Sequence, residues 1–152
     1  SILLLLDDTS PRALCVDPHQ PPSAAKLRAS LETAWPRLAG RVTFTQGGLQ
    51  DVPLDPGDLV VAAHACGSLT DLVLERAVTA GARVAVLPCC HPAPGDDARG
   101  LSGWLDHNLA LDVTRVTRLQ RAGYHVWTQT ISPEVTPKNR LILAQKRPTP
   151  SM

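Results

Sequence analysis

Two short segments concentrate the side chains able to do chemistry. His64-Ala-Cys66-Gly67 follows the apolar run Asp58-Leu-Val-Val-Ala-Ala63, and Pro88-Cys89-Cys90-His91 follows Ala82-Arg-Val-Ala-Val-Leu87. Such continuous runs read as strands buried on both faces of a parallel sheet. With the two strands adjacent, His64, Cys66, Cys89, Cys90 and His91 open into one crevice. Three readings follow, in this order. The set lines a substrate pocket or fills core, since buried Cys is ordinary packing. It binds zinc through thiolates and imidazoles, although neither His-x-Cys nor Cys-Cys-His is a standard zinc spacing. It sets a nucleophilic Cys beside a basic His. No metal ligand is assigned.

Asp17 is a candidate of another kind. It closes Arg12-Ala-Leu-Cys-Val-Asp17, a compact strand. In doubly wound sheets, ligands lie outside the carboxyl ends of the strands, and an acid ending the second strand accepts hydrogen bonds from ribose hydroxyls. A carboxylate suits a diol because both its oxygens accept. An Asp before Pro18 is also a good turn residue. Placing Asp17 on a second strand assigns residues 2–6 to the helix before it. The first strand and its glycine-rich turn are then expected upstream of Ser1. No G-x-G-x-x-G occurs in the sequence, and Gly47-Gly48 is not one.

Strand and helix patterns alternate around these residues. Ser23 to Leu38 has helical spacing, with Ser23 as N-cap, Leu27, Leu31, Ala34 and Leu38 on one face, and Gly40 as C-cap. Arg41 to Thr45 alternates as a strand. Leu69 to Ala80 is helical and closed by Gly81. Thr70 and Asp71 open this helix, where capping and an acid near the positive end are expected. Pro92 to Gly103 is loop-like, with Trp104 and His107 in the same region. Asp112 to Ala122 is helical, with Asp112 at its start. Tyr124 to Ile131 and Arg140 to Gln145 flank the turn Ser132 to Pro137. No helix fits between these last strands, so they form an antiparallel hairpin. Lys138 and Asn139 lead into the final strand, either reaching the crevice or sitting in a solvated turn. The pattern is an α/β domain over 1–147, its sheet covered on both faces, with a tail at 148–152.

Lys and Arg number 15 against 14 Asp and Glu, a net charge of +1, which excludes bulk electrostatic grip on nucleic acid. The balance is uneven: from Arg115 onward, Arg115, Arg118, Arg121, Lys138, Arg140, Lys146 and Arg147 stand against one acid, Glu134. Such a third is first an ordinary solvated helix face and tail, and second a surface for an anionic partner, RNA or a ribonucleoprotein. No apolar run reaches membrane-spanning length. The few cysteines and the lack of a signal-peptide pattern point to a reducing intracellular compartment, cytoplasm or organelle matrix. A chain opening at Ser1 without Met suggests an upstream segment.

The block His64-Ala-Cys-Gly-Ser-Leu-Thr-Asp71 followed by Leu87-Pro-Cys-Cys-His91 resembles a methyltransferase family with a His-x-Cys-Gly-x-x-Thr-Asp motif and a later Cys pair. The resemblance is to class I S-adenosylmethionine (AdoMet) methyltransferases, in particular the methyltransferase domains of glutathione S-transferase C-terminal domain-containing proteins. Thr136-Pro-Lys-Asn139, Leu111-Asp-Val-Thr-Arg115 and Ala122-Gly-Tyr124 extend it across Leu14 to Ala144. It implies a Rossmann-like sheet, mostly parallel with a C-terminal antiparallel hairpin, here without its first strand and glycine-rich loop. It implies AdoMet as cofactor, with Asp17 on the ribose and Gly48, Leu49 and Asp51 near the adenine. Gly48 stands where many relatives carry an acid, so backbone groups of Gly48 or Leu49 would make that contact. His64 is the candidate base, or else a further cofactor ligand. Cys66, Gly67, Cys89, Cys90, His91, Lys138 and Asn139 would line the acceptor pocket. No acceptor is implied. Displacement at a sulfonium methyl needs alignment more than a strong base, so no catalytic triad is required. The alternative is a non-catalytic methyltransferase-like subunit of a larger, ribonucleoprotein-type assembly.

Overall fold

The structure is a computed structural model that describes residues 2–6, 9–90 and 100–148. The chain divides into two compact units, Ser1–Pro53 and Leu54–Met152.

In the first unit a short helix, α1 (Ile2–Leu6), precedes β1 (Ala13–Asp17). Helix α2 (Ser23–Ala34) then leads to β2 (Val42–Gln46). The strands pair in parallel, Ala13 opposite Val42 and Asp17 opposite Gln46. Leu4, Leu38 and Val42 form the buried core, with Leu5, Ala13 and Leu31 packed against it. The helix is shorter than its apolar spacing suggests. Pro36 disfavours helical angles in the residue before it, and Trp35 leaves the helix at φ −134°, ψ 84°. A 3-10 turn, Pro36–Leu38, then delivers Leu38 to the core. Ser23 lies inside the helix, and Pro22 holds the N-cap position without a side-chain cap. Leu27 is 62% exposed, so the expected apolar face of α2 is only partly covered.

The second unit is a four-stranded sheet of order β3-β4-β6-β5. β3 (Leu59–Cys66) and β4 (Arg83–Cys90) are parallel, joined by α3 (Ser68–Ala80). β6 (Arg140–Lys146) runs antiparallel to β4 and to β5 (Tyr124–Thr130). The expected parallel pair and closing hairpin are therefore both present. Helix α4 (His107–Arg121) precedes β5.

Thr70, Val73, Leu74 and Ala77 are the buried residues of α3. Their i, i+3, i+4, i+7 spacing puts one stripe against the sheet. Full burial of Val73 or Leu74 contributes about 1.5–3 kcal/mol each. Tyr124 locks the far end of this layer. Its hydroxyl donates to the carbonyls of Ala77 and Ala82, each at 3.1 Å.

Among the described residues of this unit, helices cover one face of the sheet only. Val60, Val84, Ile142 and Ala144 face the helices and are buried. On the other side Val61, Ala85, Leu143 and Trp127 stand in one row across all four strands. Val61 is 46% and Trp127 47% exposed. The run at 58–63 thus behaves as a one-sided strand, because α3 and α4 both pack on the same side. Among the described residues, no helix is long and apolar enough to cross a membrane.

Candidate functional site

Asp17 ends β1, and its neighbour across the sheet is Gln46, the last residue of β2. The Gly47 amide donates to the Asp17 carbonyl at 3.1 Å. A parallel pair puts both carboxyl ends at one edge, so Asp17 sits beside the turn that follows β2. That turn is Leu49–Asp51, a 3-10 helix. Asp51 stabilises it, accepting from the Gly48 amide at 3.1 Å and from Gln50 Nε2 at 3.2 Å. Asp17 makes the turn anticipated before Pro18: its Oδ1 accepts from the His19 amide at 2.8 Å. Its Oδ2 has no hydrogen-bond partner among the described residues. Asp17, Gly48, Leu49 and Asp51 are therefore brought to one edge of the first unit.

In the second unit His64 and Cys66 lie within β3, and Cys89 and Cys90 within β4, rather than after these strands. β3 extends through Cys66 and β4 through Cys90. The ladder there is irregular. Ala63 pairs with Leu87, Ala65 with Pro88 and Cys66 with Cys90. His64 is the extra residue on β3, and Cys89 is the extra residue on β4. Paired bulges of this kind re-aim side chains at a strand end. His64 has φ 58°, a left-handed conformation uncommon outside glycine. Its carbonyl is turned toward both thiols. Cys66 Sγ lies 3.5 Å and Cys89 Sγ 3.2 Å from that oxygen, and the two sulfurs are 2.8 Å apart. Cys66 is exposed and Cys89 is buried. Cys90 takes part through its backbone pairing, and His91 lies outside the described residues, as do residues 92–99 of the expected loop. Among the described residues, no cluster of three or more His, Cys, Asp or Glu side chains could hold a metal ion.

Gly67 ends the crossing from β3 to α3 at φ 55°, ψ −128°. Only glycine adopts these angles without cost. Thr70 and Asp71, expected as caps, do other work. Thr70 donates to the Ala65 carbonyl at 2.8 Å, tying the helix back to the strand end. Asp71 is held by Arg115 through two bonds, Nε to Oδ1 at 3.1 Å and Nη2 to Oδ2 at 2.8 Å.

Arg115 is the residue the sequence reading undervalued. It counted as one of a basic set, yet its side chain is 2% exposed. Besides Asp71 it bonds Asp112 Oδ1 at 3.1 Å and the Gly67 carbonyl at 3.4 Å. Asp112 is not at the start of α4, where Asp106 caps instead by accepting from the Leu109 amide. Asp112 lies one turn before Arg115 and also accepts from Arg140 Nε at 2.8 Å. Burial works against the Arg115 charge, but the bonds and attraction to Asp71, then Asp112, outweigh it and hold its pKa above the ordinary value. The i, i+3 spacing of Asp112 and Arg115 was the available signal. The basic third is correspondingly less free than its composition suggests. Arg115 and Arg140 are paired, and Arg118 Nη1 lies 3.9 Å from Asp71.

Beside the strand ends is a pocket of about 180 Å³ lined by Pro88, Asn108, Pro137, Lys138, Asn139 and Arg140. β6 runs antiparallel to β4, so its first residues meet the last residues of β4. Asn139 Nδ2 donates to the Ile131 carbonyl at 2.8 Å and closes the hairpin loop. Lys138 and Asn139 thus reach the edge that carries Cys89, while Asn108 was not anticipated. Trp104 is 90% exposed, and His107 opens α4 instead of lying in a loop.

A family model described as a methyltransferase domain matches residues 8–93, more than half of the chain. Among solved structures, the crystal structure of LaPhzM superposes with a TM-score of 0.51 at 17% sequence identity. That alignment covers 96% of this chain and 46% of LaPhzM, so the chain spans less than half the length of that structure. At this identity the likeness speaks for the fold. No curated protein matches the chain.

Proposed function

The chain belongs to the methyltransferase-domain family, and from that premise we propose that it forms the acceptor side and nucleoside-binding edge of a class I AdoMet-dependent methyltransferase. The observation that carries this reading is the Asp17–Gln46 pairing, which sets a carboxylate with one uncommitted oxygen beside the Gly48–Asp51 turn. That donor set fits a nucleoside: Asp17 accepts from the ribose hydroxyls, and backbone groups of Gly48 and Leu49, steadied by Asp51, meet the adenine. The described residues offer no glycine-rich turn for the rest of the cofactor. We read β1 as the second strand of the class I order, which leaves the first strand and its glycine-rich turn unassigned among the described residues.

Bound AdoMet supplies an electrophilic methyl on sulfonium. The chain's own residues orient the acceptor and take its proton. His64 is the proposed base, its imidazole exposed at the strand end. The Gly67 turn, held by Arg115 and Thr70, fixes where β3 ends and hence where His64 points. Lys138 gives the pocket beside Pro88 a positive charge, Arg140 in its lining being bound to Asp112, with Asn108 and Asn139 as hydrogen-bonding groups. This suits a polar acceptor carrying an anionic group, such as a nucleotide in RNA. The likeness to glutathione S-transferase C-terminal domain-containing proteins belongs to this proposal.

A second reading is a non-catalytic methyltransferase-like subunit of a ribonucleoprotein-type assembly, since fold alone does not fix function. Methyl-transfer assays on the full-length protein separate the two. His64→Ala is expected to lower turnover by about 10²–10⁴ while leaving AdoMet affinity nearly unchanged. Loss of affinity at unchanged turnover would make His64 a cofactor ligand instead, and no transfer by the wild type would favour the second reading.

A further inference from the structure

The paired bulges at the ends of β3 and β4 do more than turn the strands. By making His64 and Cys89 the extra residues, they move Cys89, not only its neighbour, up against Cys66. The two sulfurs stand 2.8 Å apart. A disulfide needs about 2.05 Å between sulfurs and Cα atoms about 4.4–6.8 Å apart. Cys66 pairs with Cys90 in the ladder, and Cys89 is the residue beside that partner on the adjacent strand, about 4.8 Å away, which brings it within reach of such a bond. The sulfurs also share one acceptor, the His64 carbonyl, which the left-handed backbone at His64 aims between them. Three independent features, the register, the φ angle and the sulfur contact, therefore converge on one dithiol.

We propose that Cys66 and Cys89 form an oxidisable dithiol, a modification site that reacts reversibly with small disulfide oxidants to give an intramolecular Cys66–Cys89 disulfide. Exposure assigns the roles. Cys66 is open to solvent and Cys89 is 6% exposed. The Cys66 thiolate attacks one sulfur of oxidised glutathione. A Cys66–glutathione bond forms, the glutathione S–S bond breaks, and the first glutathione leaves as thiolate. The Cys89 thiolate then attacks Cys66 Sγ and expels the second. Both cysteine protons end on the two glutathione thiols, so two electrons pass from the protein to the oxidant. Intramolecular disulfides of this kind in a reducing compartment are usually transient or sensing rather than structural. The bond ties the ends of β3 and β4 together and withdraws both S–H donors from the His64 carbonyl. The inference does not depend on the methyltransferase reading, because the chemistry uses only the two thiols and the oxidant.

The test equilibrates the folded protein with glutathione buffers, quenches with an alkylating agent and maps the peptides by mass spectrometry. The expected product links Cys66 to Cys89, exceeds the mixed glutathione adduct at Cys66 by about tenfold or more, and is reversed by dithiothreitol. Cys66→Ser, an exposed position that should fold, is expected to abolish the linkage. Cys89→Ser is expected to leave Cys66 as the glutathione adduct. A linkage through Cys90 or Cys15, a stable adduct at Cys66 in the wild type, or four thiols that stay reduced would overturn the proposal.

Discussion

Arg115 and Asp71 form a two-bond fork, at 3.1 and 2.8 Å, that joins the middle of α4 to the first turn of α3. The same guanidinium reaches Asp112 and the Gly67 carbonyl, so one buried cation ties together the elements around the turn after β3. Removing one partner of such a set leaves carboxylates facing each other with their cation gone. Arg115→Ala is expected to destabilise the protein by about 3 kcal/mol, read from urea or thermal unfolding. Arg115→Lys should recover little, because a lysine cannot reproduce the fork. Unfolding within about 0.5 kcal/mol of wild type would remove the network from the account.

The Gly67 and His64 positions should respond oppositely to substitution. Gly67→Ala must place a Cβ at φ 55°, ψ −128°, and is expected to cost about 1–3 kcal/mol. Nothing lies within 4 Å of that Cβ, so the cost is conformational and not a clash. His64→Gly relieves a positive φ and offsets it with added freedom in the unfolded chain, so stability should change by less than about 1 kcal/mol. A large loss for His64→Gly would show that the imidazole holds the fold together, contrary to a role in chemistry.

Residues 1–152 contain one tyrosine, so absorbance titration of this chain reads Tyr124 alone. Burial disfavours the phenolate and raises its pKa. The folded state therefore holds the proton more tightly than the unfolded chain. The stabilisation is complete below about pH 10, the unfolded value, and is lost as pH climbs through the folded value. Tyr124 should titrate above pH 10 when folded and near 10 in denaturant, with stability falling over the interval. An identical titration in both states would place Tyr124 in solvent.

Much of this architecture was legible because strands and helices leave different periods in the sequence. The Ala82–Leu87 run, the helix at Leu69–Ala80 and the hairpin at residues 124–146 all fell where patterning put them. Asp17 was legible as the acid closing a short strand. Errors arose where one residue overrode a pattern. Pro36 ended α2 before its apolar spacing did, and Asp106 began α4 well before Asp112. The bulges could not be read, because register is a property of two strands and neither segment records its partner. Arg115 was obscured for a related reason: its acids lie on another helix and one turn back, and a count of charges along the chain does not bring them together.

Pocket chemistry gives a further expectation. Lys138 lines the cavity beside Pro88 with Arg140. If an anionic acceptor enters there, Lys138→Ala should weaken acceptor binding by about tenfold, or about 1.4 kcal/mol, and reduce its dependence on salt. AdoMet affinity should be unaffected. Equal acceptor affinity in both proteins at low and high salt would move the acceptor elsewhere.

The central proposal is that this chain carries the ribose-binding edge of an AdoMet site, with the turn that cradles the remainder not among its described residues. Calorimetric titration of AdoMet into the full-length protein, its Asp17→Ala variant and residues 1–152 alone tests it directly. The account predicts one site in the full-length protein and a roughly 10–100-fold loss in the variant, equivalent to about 1.5–3 kcal/mol for a hydrogen-bonded carboxylate. It predicts far weaker binding by residues 1–152. Full-length protein that does not bind AdoMet, or binds it indifferently to Asp17→Ala, would contradict the account, as would tight one-to-one binding by residues 1–152 alone.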